Sequence, residues 1–221
     1  MRARIAEVLD RKGLKLGHYV GDFTMPGIGY MLKEAGAEYV FFDMEHSGNS
    51  YDTLQRCLRY FEAAGLPSMV RVPSDGYDHI ARALDCGADA VVIPMVGTAD
   101  QARAIVDKMK YTPQGSRGVA LALANDRYKM GPVAEALADA NARTKLVCLI
   151  ETAEGVANVD EIAAVDVISG IELYIERGDW DKALETAKAQ EVRTHSIIPL
   201  RWQWSWSRSW RSTWTVCTRN T

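Results

Sequence analysis

Short apolar runs alternate with helical patterns along most of the chain, and this alternation is the strongest constraint on its fold. The runs are rich in β-branched and aromatic residues and recur every 20 to 30 residues or so, about the length of a strand, a helix and two loops. They lie at 16–23, 37–45, 67–73, 88–96, 118–123, 145–151, 171–176 and, more weakly, 195–200. Strands that alternate with helices predict a parallel sheet with the helices on its outside.

The stretches between these runs have apolar residues at three- and four-residue spacing, which is typical of amphipathic helices. They cover 26–36, 49–65, 78–87, 98–110, 131–143 and 153–165. Three of them end in glycine, at Gly36, Gly65 and Gly87, immediately before the next run. Glycine there permits the left-handed conformation that ends a helix in a helix-to-strand turn.

The number of strand–helix units indicates the fold class. Six to eight units in one chain favour a (β/α)8 TIM-type barrel, which we expect as a single domain over residues 1–200, incomplete or irregular at its C-terminal end. Such a barrel usually needs about 250 residues, and this chain has 221. The alternative is a doubly wound open sheet. It would want a glycine-rich phosphate turn after its first strand, and GDFTMPG at 21–27 lacks the GxGxxG spacing.

The composition excludes several classes of protein. With 48% hydrophobic and 25% charged residues, the chain is neither disordered nor collagen-like. No apolar run reaches the ~18 residues of a membrane span, and the N-terminus is charged where a signal peptide is apolar. The four cysteines form no CxxC pair, so we expect reduced thiols in a cytoplasmic protein. A net charge of −3 gives no indication of nucleic-acid binding.

The C-terminal residues 201–221 differ from the rest of the chain. They contain five of the six tryptophans and four arginines, but no acidic residue. Without them the chain has 22 basic against 29 acidic residues, a net charge of −7. Such a segment is typical of contact with an anionic membrane or with single-stranded nucleic acid. We favour a third interpretation, a change of reading frame after about residue 165, which would leave a tail that packs into no core.

Functional side chains follow several of the predicted strands where each strand ends. In a barrel the carboxyl ends of the strands meet at one rim, which carries the catalytic residues. Taken singly, a glutamate there can serve a helix N-terminus, an arginine a surface ion pair, and a histidine can simply be solvated. Their agreement at one rim favours an active site. They are Asp43 and His46 around the end of the second run, Arg71 in the third, Pro94 and Met95 in the fourth, and Glu151 at the end of 145–151.

Five motifs occur in a fixed order: FDMEHS at 42–47, VRVP at 70–73, ALDCGADAVVIPMV at 83–96, YTPQGSRGV at 111–119 and LIETAEG at 149–155. Together, over about residues 15–165, they resemble the HpcH/HpaI aldolase family. These are metal-dependent pyruvate aldolases of the 2-dehydro-3-deoxyglucarate and 4-hydroxy-2-oxoheptanedioate type, and they form homo-oligomers. The resemblance implies a class II aldolase that reversibly cleaves a 4-hydroxy-2-oxo acid to pyruvate and an aldehyde through a metal-stabilised enolate.

The resemblance also implies a role for each matching residue. His46 would be the acid/base residue, with Asp43 orienting its ring, and Arg71 would contact the pyruvate oxygens. Pro94 and Met95 would line the substrate site, which is bordered by the loop that contains Arg117. Asp85 matches an acidic residue near the family's subunit contact. These types suit the chemistry, since a guanidinium stabilises an enolate oxygen and an imidazole transfers protons near neutral pH.

The same resemblance implies a divalent cation, Mg²⁺, Mn²⁺ or Co²⁺, at the rim. Glu151 matches the family's first carboxylate ligand and Asp179 can be set against the second. A simpler interpretation of Asp179 is the N-cap of a following helix. Leu149 stands where the family usually has glutamine.

Two other functions stay open at this point. One is a citrate-lyase-like enzyme of the same superfamily that acts on an acyl-CoA thioester. The other is a catalytically inactive remnant whose tail binds a membrane or a partner.

Overall fold

A single parallel sheet of seven strands forms the centre of the protein in the computed structural model, which describes residues 5–11, 15–129, 131–165, 168–173 and 197–199. The strands are β1 Gly17–Val20, β2 Tyr39–Asp43, β3 Ser68–Arg71, β4 Ala90–Ile93, β5 Lys145–Ile150, β6 Ile168–Leu173 and β7 Ile197–Pro199. Each strand pairs in parallel with the next one along the chain.

The consecutive strand order decides between the two predicted folds. In a doubly wound sheet the order of the strands reverses once, so that strands distant in sequence become neighbours. Here the order runs from β1 to β7 without reversal, as in a singly wound barrel. The barrel-type fold is thus confirmed and the doubly wound alternative is wrong. Within the described ranges β1 and β7 are the two edges of the sheet, which is not closed there.

Helices connect most of the strands. They are α1 Ile5–Asp10, α2 Ile28–Glu34, α3 Tyr51–Ala63, α4 Tyr77–Asp85, α5 Ala99–Met109, α6 Val133–Arg143, α7 Ala153–Ala157 and α8 Val159–Ala163, with a short 3₁₀ helix at Ala124–Asp126. The predicted glycines Gly36, Gly65 and Gly87 follow α2, α3 and α4 with φ angles of 89°, 73° and 96°. Each therefore ends its helix in the left-handed conformation that the sequence predicted.

Two details of the predicted pattern are wrong. The run at 118–123 is a loop rather than a strand. Ala122 has a φ of 59°, which a strand excludes, and Val119 and Leu123 are exposed, so their apolar side chains fill no core. The helix predicted over 153–165 is two short helices, α7 and α8, which meet at Asn158.

The two faces of the sheet belong to two hydrophobic clusters. One face packs against the surrounding helices through residues such as Val40, Val70 and Val91. The other, which we call the inner face, carries the alternate residues of the strands and packs against α1. Its buried members are Ile5, Val8, Leu9, Tyr39, Met69, Ala90, Val92, Val147 and Leu149. Because side chains alternate along a strand, Asp43 and Arg71 belong to this inner face.

Three cysteines, Cys57, Cys86 and Cys148, are free thiols. Burial raises the pKa of Cys57 to about 11 and that of Cys148 to about 12, so both stay protonated near neutral pH. In the ranges given above, no helix is long and apolar enough to cross a membrane. The predicted tail at 201–221 and Asp179 lie outside the described residues.

Candidate active site

An ion pair between neighbouring strands forms the centre of the candidate site. Asp43 ends β2 and Arg71 ends β3, and the two residues are direct partners in the register of the sheet. Arg71 donates from Nε to Asp43 Oδ1 at 2.8 Å and from Nη2 to Oδ2 at 2.7 Å. This two-point contact fixes both the position of the guanidinium and the orientation of its plane. The structure therefore brings together two residues that are 28 positions apart.

Asp43 accepts three further hydrogen bonds besides the two from Arg71. The Tyr19 hydroxyl donates to Oδ2 at 2.8 Å, the Glu45 backbone N–H to Oδ1 at 3.0 Å, and the His46 backbone N–H to Oδ2 at 3.3 Å. Burial of this side chain acts to raise the pKa of Asp43, but the hydrogen bonds and charge of Arg71 outweigh it and the pKa lies below its usual value. Asp43 is therefore an ionised carboxylate, and its charge is stabilised by hydrogen bonds from the protein instead of by water.

The carboxylate of Asp43 contacts the backbone of His46. It accepts the backbone N–H of His46 at Oδ2. The imidazole ring lies beside Glu45, with Nε2 3.6 Å from Oε2, and the His46 side chain is 70% exposed. That Asp43 orients the His46 ring stays a prediction.

Glu45 is a second acidic partner of Arg71. Its Oε2 lies 3.1 Å from Arg71 Nη1. Burial raises the pKa of Glu45, and the negative charges of Glu151 and Asp43 act in the same direction, against the opposing charges of Arg71 and His46. Glu45 and Glu151 therefore interact electrostatically.

Glu151 follows β5 and is held by the loop after β4. Its Oε1 accepts the backbone N–H of Met95 at 2.9 Å. Met95 has a φ of 58°, a left-handed conformation that is uncommon for any residue other than glycine. Its side chain is 56% exposed, while the neighbouring Pro94 is buried. The structure thus brings Glu151 and Met95 together at the rim.

Arg117 does not join these residues. It forms an ion pair with Asp85, its side chain is buried, and its guanidinium carbon lies 4.5 Å from the centre of the Tyr111 ring. Asp85 is the last residue of α4, and helices of a barrel run antiparallel to the strands, so α4 ends at the opposite edge of the sheet. The structure thus places Arg117 apart from the rim residues, and its predicted role at the substrate site stays a prediction. The predicted subunit contact of Asp85 stays a prediction.

Tyr19 and Glu45 are site residues that the sequence pattern did not predict. Glu45 lies between two predicted site residues, Asp43 and His46, and its position in the motif was a usable signal. Tyr19 lies in β1, where strand alternation puts it on the same face as Gly17. Nothing local indicates that its hydroxyl reaches β2, since that contact depends on how the two strands pack.

The rim residues offer partial support for a bound cation. Asp43, Glu45 and Glu151 carry three negative charges against the one positive charge of Arg71, which leaves an excess of two that suits a divalent ion. Their oxygen atoms are the donors that hard cations prefer. In the part of the chain that the structure describes, however, no three acidic, histidine or cysteine side chains are close enough to hold a metal. The ligand role of Glu151 stays a prediction, and the predicted second ligand, Asp179, lies beyond the described ranges.

Comparison with known proteins finds the family that the sequence motifs resemble. The model of the HpcH/HpaI aldolase/citrate lyase family matches residues 27–192, which extends past the end of the resemblance at about residue 165. The chain is 36% identical over 159 residues to the 4-hydroxy-2-oxovalerate aldolase of Novosphingobium aromaticivorans and 34% identical over 158 residues to the hydroxypyruvate/pyruvate aldolase of Roseovarius nubinhibens. These matches cover 72% of this chain in both cases, and 59% and 61% of the two relatives.

A solved structure supports the fold. The HpcH/HpaI aldolase from Desulfitobacterium hafniense superposes with a TM-score of 0.73 at 27% identity, over 80% of this chain and 71% of that one. The chain spans about three fifths of the length of the two curated relatives named above.

Proposed function

Since the chain belongs to the HpcH/HpaI aldolase/citrate lyase family, we propose that its site catalyses the reversible aldol cleavage of a 4-hydroxy-2-oxo acid to pyruvate and an aldehyde. One observation carries the proposal: Arg71 is held between Asp43 and Glu45 at the end of a parallel strand. A fixed guanidinium next to carboxylates is the arrangement that an enolate-forming reaction needs.

Arg71 stabilises the charge that develops on the substrate. Its hydrogen bonds to Asp43 use two of its five N–H groups, and Glu45 adds an ion pair. The other N–H groups are the donors that we assign to the oxygens of a 2-oxo acid. The charges and hydrogen bonds of Asp43 outweigh burial and raise the pKa of Arg71 further, so the cation persists throughout the reaction. Because it is held rigidly, little reorganisation is needed as the enolate forms.

Glu151 would hold a divalent cation, with Asp179 as a second ligand. Mg²⁺, Mn²⁺ or Co²⁺ bound there would act as a Lewis acid on the keto oxygen of the substrate. The Met95 N–H fixes one oxygen of Glu151. The orientation of the carboxylate is thereby set before any ion binds.

His46 is the residue that moves a proton. Its ring is largely exposed at the rim, where a substrate hydroxyl can reach it, and its Nε2 lies beside Glu45. An imidazole accepts a proton from the 4-hydroxyl during cleavage and returns it during condensation.

Exchange of the methyl protons of pyruvate tests this proposal, since it requires only enolisation. We expect deuterium from D₂O to enter pyruvate with added Mg²⁺, Mn²⁺ or Co²⁺ and not with EDTA, followed by NMR. Arg71→Lys should reduce the rate by about 100-fold because the planar two-point contact is lost.

The control is Arg103→Lys, since Arg103 pairs with Asp100 on an exposed surface and should not affect exchange. Absence of exchange with every metal would contradict the proposal. Exchange with acetyl-CoA but not with pyruvate would favour the acyl-CoA lyase.

A further inference from the structure

A hydroxyl on β1 connects the first strand to the centre of the candidate site. Tyr19 Oη donates to Asp43 Oδ2 at 2.8 Å. In the sheet register Tyr19 pairs with Phe41, and Asp43 lies two residues further along the same strand. The hydroxyl therefore reaches diagonally across the inner face to the oxygen that also accepts Arg71 Nη2.

The ring of Tyr19 has its own supports, so the hydroxyl is delivered from a fixed position. It stacks on Phe41 with centroids 6.2 Å apart and an angle of 23° between the planes. The guanidinium carbon of Arg71 lies 5.7 Å from the centre of the same Phe41 ring. Three adjacent strands thus contribute one packed group in which Tyr19 and Arg71 meet on Phe41 and again on Asp43.

We propose that Tyr19 is a positioning residue of this site, whose hydroxyl fixes the Asp43 carboxylate and, through it, the guanidinium of Arg71. The proposal rests on the proposed function for its catalytic consequence. Its structural part, the control of Asp43 by Tyr19, does not.

The hydroxyl stays a donor over the range in which an enzyme works. Burial, the hydrogen bond to Asp43 and the Asp43 charge raise the pKa of Tyr19 to about 12, against the opposing charge of Arg71 and with a small contribution from Asp22. The groups that contact the Asp43 carboxylate are the Tyr19 hydroxyl from β1, the Arg71 guanidinium from β3 and the backbone N–H groups of Glu45 and His46. Tyr19 therefore stabilises the ionised form of Asp43 without becoming charged itself.

Tyr19→Phe removes the hydroxyl and leaves the ring in place. We expect a loss of about tenfold in the kcat of aldol cleavage and in pyruvate exchange, the effect typical of one hydrogen bond to a charged group, with a smaller change in KM. The acid limb of the pH profile should move to higher pH, because Asp43 loses a donor that favours its charged form.

The matched control is Tyr51→Phe. The Tyr51 hydroxyl lies 2.9 Å from His79 Nδ1, and the ring lies beneath the Arg82 guanidinium, so its contacts are with α4. This variant loses the same atom outside the site. It should keep the wild-type rate and pH profile.

A second measurement separates this proposal from the proposed function. Acid unfolding followed by circular dichroism needs no activity, and Tyr19→Phe should unfold at a higher pH than Tyr51→Phe. If the wild type shows no exchange, the proposed function fails, and acid unfolding still decides the role of Tyr19. Equal unfolding midpoints in the two variants would overturn the proposal. A lower rate of Tyr19→Phe with unchanged midpoints would also overturn it, since it would indicate a direct contact with substrate.

Discussion

Asp43 and Arg71 are partners in register on neighbouring strands, and each uses two atoms to hold the other. The Asp43 side chain has no exposed surface and that of Arg71 is 13% exposed. Neither charge can be solvated by water if the other is removed. The pair therefore ties the end of β2 to the end of β3, at the place where we propose that the guanidinium of Arg71 contacts the substrate.

Asp43→Asn should destabilise the protein as well as inactivate it. The substitution keeps the shape but leaves Arg71 without its two-point partner, and removal of one member of a buried pair usually costs about 3 kcal/mol or more. Asp100→Asn is the control, since the Asp100–Arg103 pair is exposed and should contribute less than about 1 kcal/mol. Urea unfolding measures both. Similar losses in the two variants would show that the Asp43 pair acts as an ordinary surface pair.

The stabilisation by Asp43 should depend on pH in the acid range only. Its pKa in the folded protein is lowered, because the effect of Arg71 outweighs that of burial. The contribution of Asp43 to the free energy of unfolding is therefore complete above the pKa of the unfolded state, about 3.9. It is lost as the pH falls through the lower pKa of the folded state. The difference in free energy of unfolding between wild type and Asp43→Asn should therefore be constant from pH 7 to about pH 5 and shrink below. A difference that already shrinks near pH 6 would disagree with a lowered pKa.

Glu45→Gln should have the opposite effect on stability. Burial raises the pKa of Glu45 in the folded protein. Ionised Glu45 therefore lowers the free energy of unfolding when the pH lies above the pKa of the folded state. Below the pKa of the unfolded state, Glu45 is protonated in both states and this destabilisation is absent. In EDTA, the variant should be more stable than wild type at pH 7, and the gain should vanish near pH 4. Exchange of pyruvate protons should nevertheless fall, because Arg71 and His46 lose a charged neighbour. A variant less stable than wild type at pH 7 would contradict this sign.

The parts of this fold that depend on local pattern could be predicted from the sequence. The spacing of apolar runs identified most strands, and Gly36, Gly65 and Gly87 marked helix ends because the left-handed conformation is a property of single residues. The strand predicted at 118–123 is wrong because apolar residues alone do not specify a partner strand. Val119 is exposed in the structure.

The candidate site was predictable in its residues but not in their contacts. Asp43 and Arg71 end their strands and Glu151 follows one, which places them at one rim by topology. The partner of Arg117, by contrast, is Asp85, 32 positions away, and no pattern in the sequence links them. The Tyr19 hydroxyl likewise reaches Asp43 only because two strands pair in a particular register.

Met95 should tolerate glycine better than alanine. Its φ of 58° is strained for any residue with a Cβ, and relief of that strain exceeds the entropy cost of glycine, so Met95→Gly should be more stable than Met95→Ala by about 0.5 to 1 kcal/mol. Ala138→Gly, at an exposed position of α6, should instead lose about 1 kcal/mol. Urea unfolding compares the three variants. A Met95→Gly variant that is less stable than Met95→Ala would argue against the left-handed conformation.

Glu151→Gln tests the cation ligand directly. The amide oxygen can still accept the Met95 N–H that Glu151 now binds, so the local fold should persist while the charge is lost. Removal of a ligand weakens metal binding at least as much as loss of an outer contact, which costs about 10- to 100-fold, and the Mn²⁺ concentration for half-maximal pyruvate exchange should rise accordingly. Glu154→Gln is the matched control, because Glu154 is an exposed residue of α7 three positions further on. Calorimetric titration with Mn²⁺ alone gives the same comparison without turnover, and equal Mn²⁺ affinities in the two variants would remove Glu151 from the ligand set.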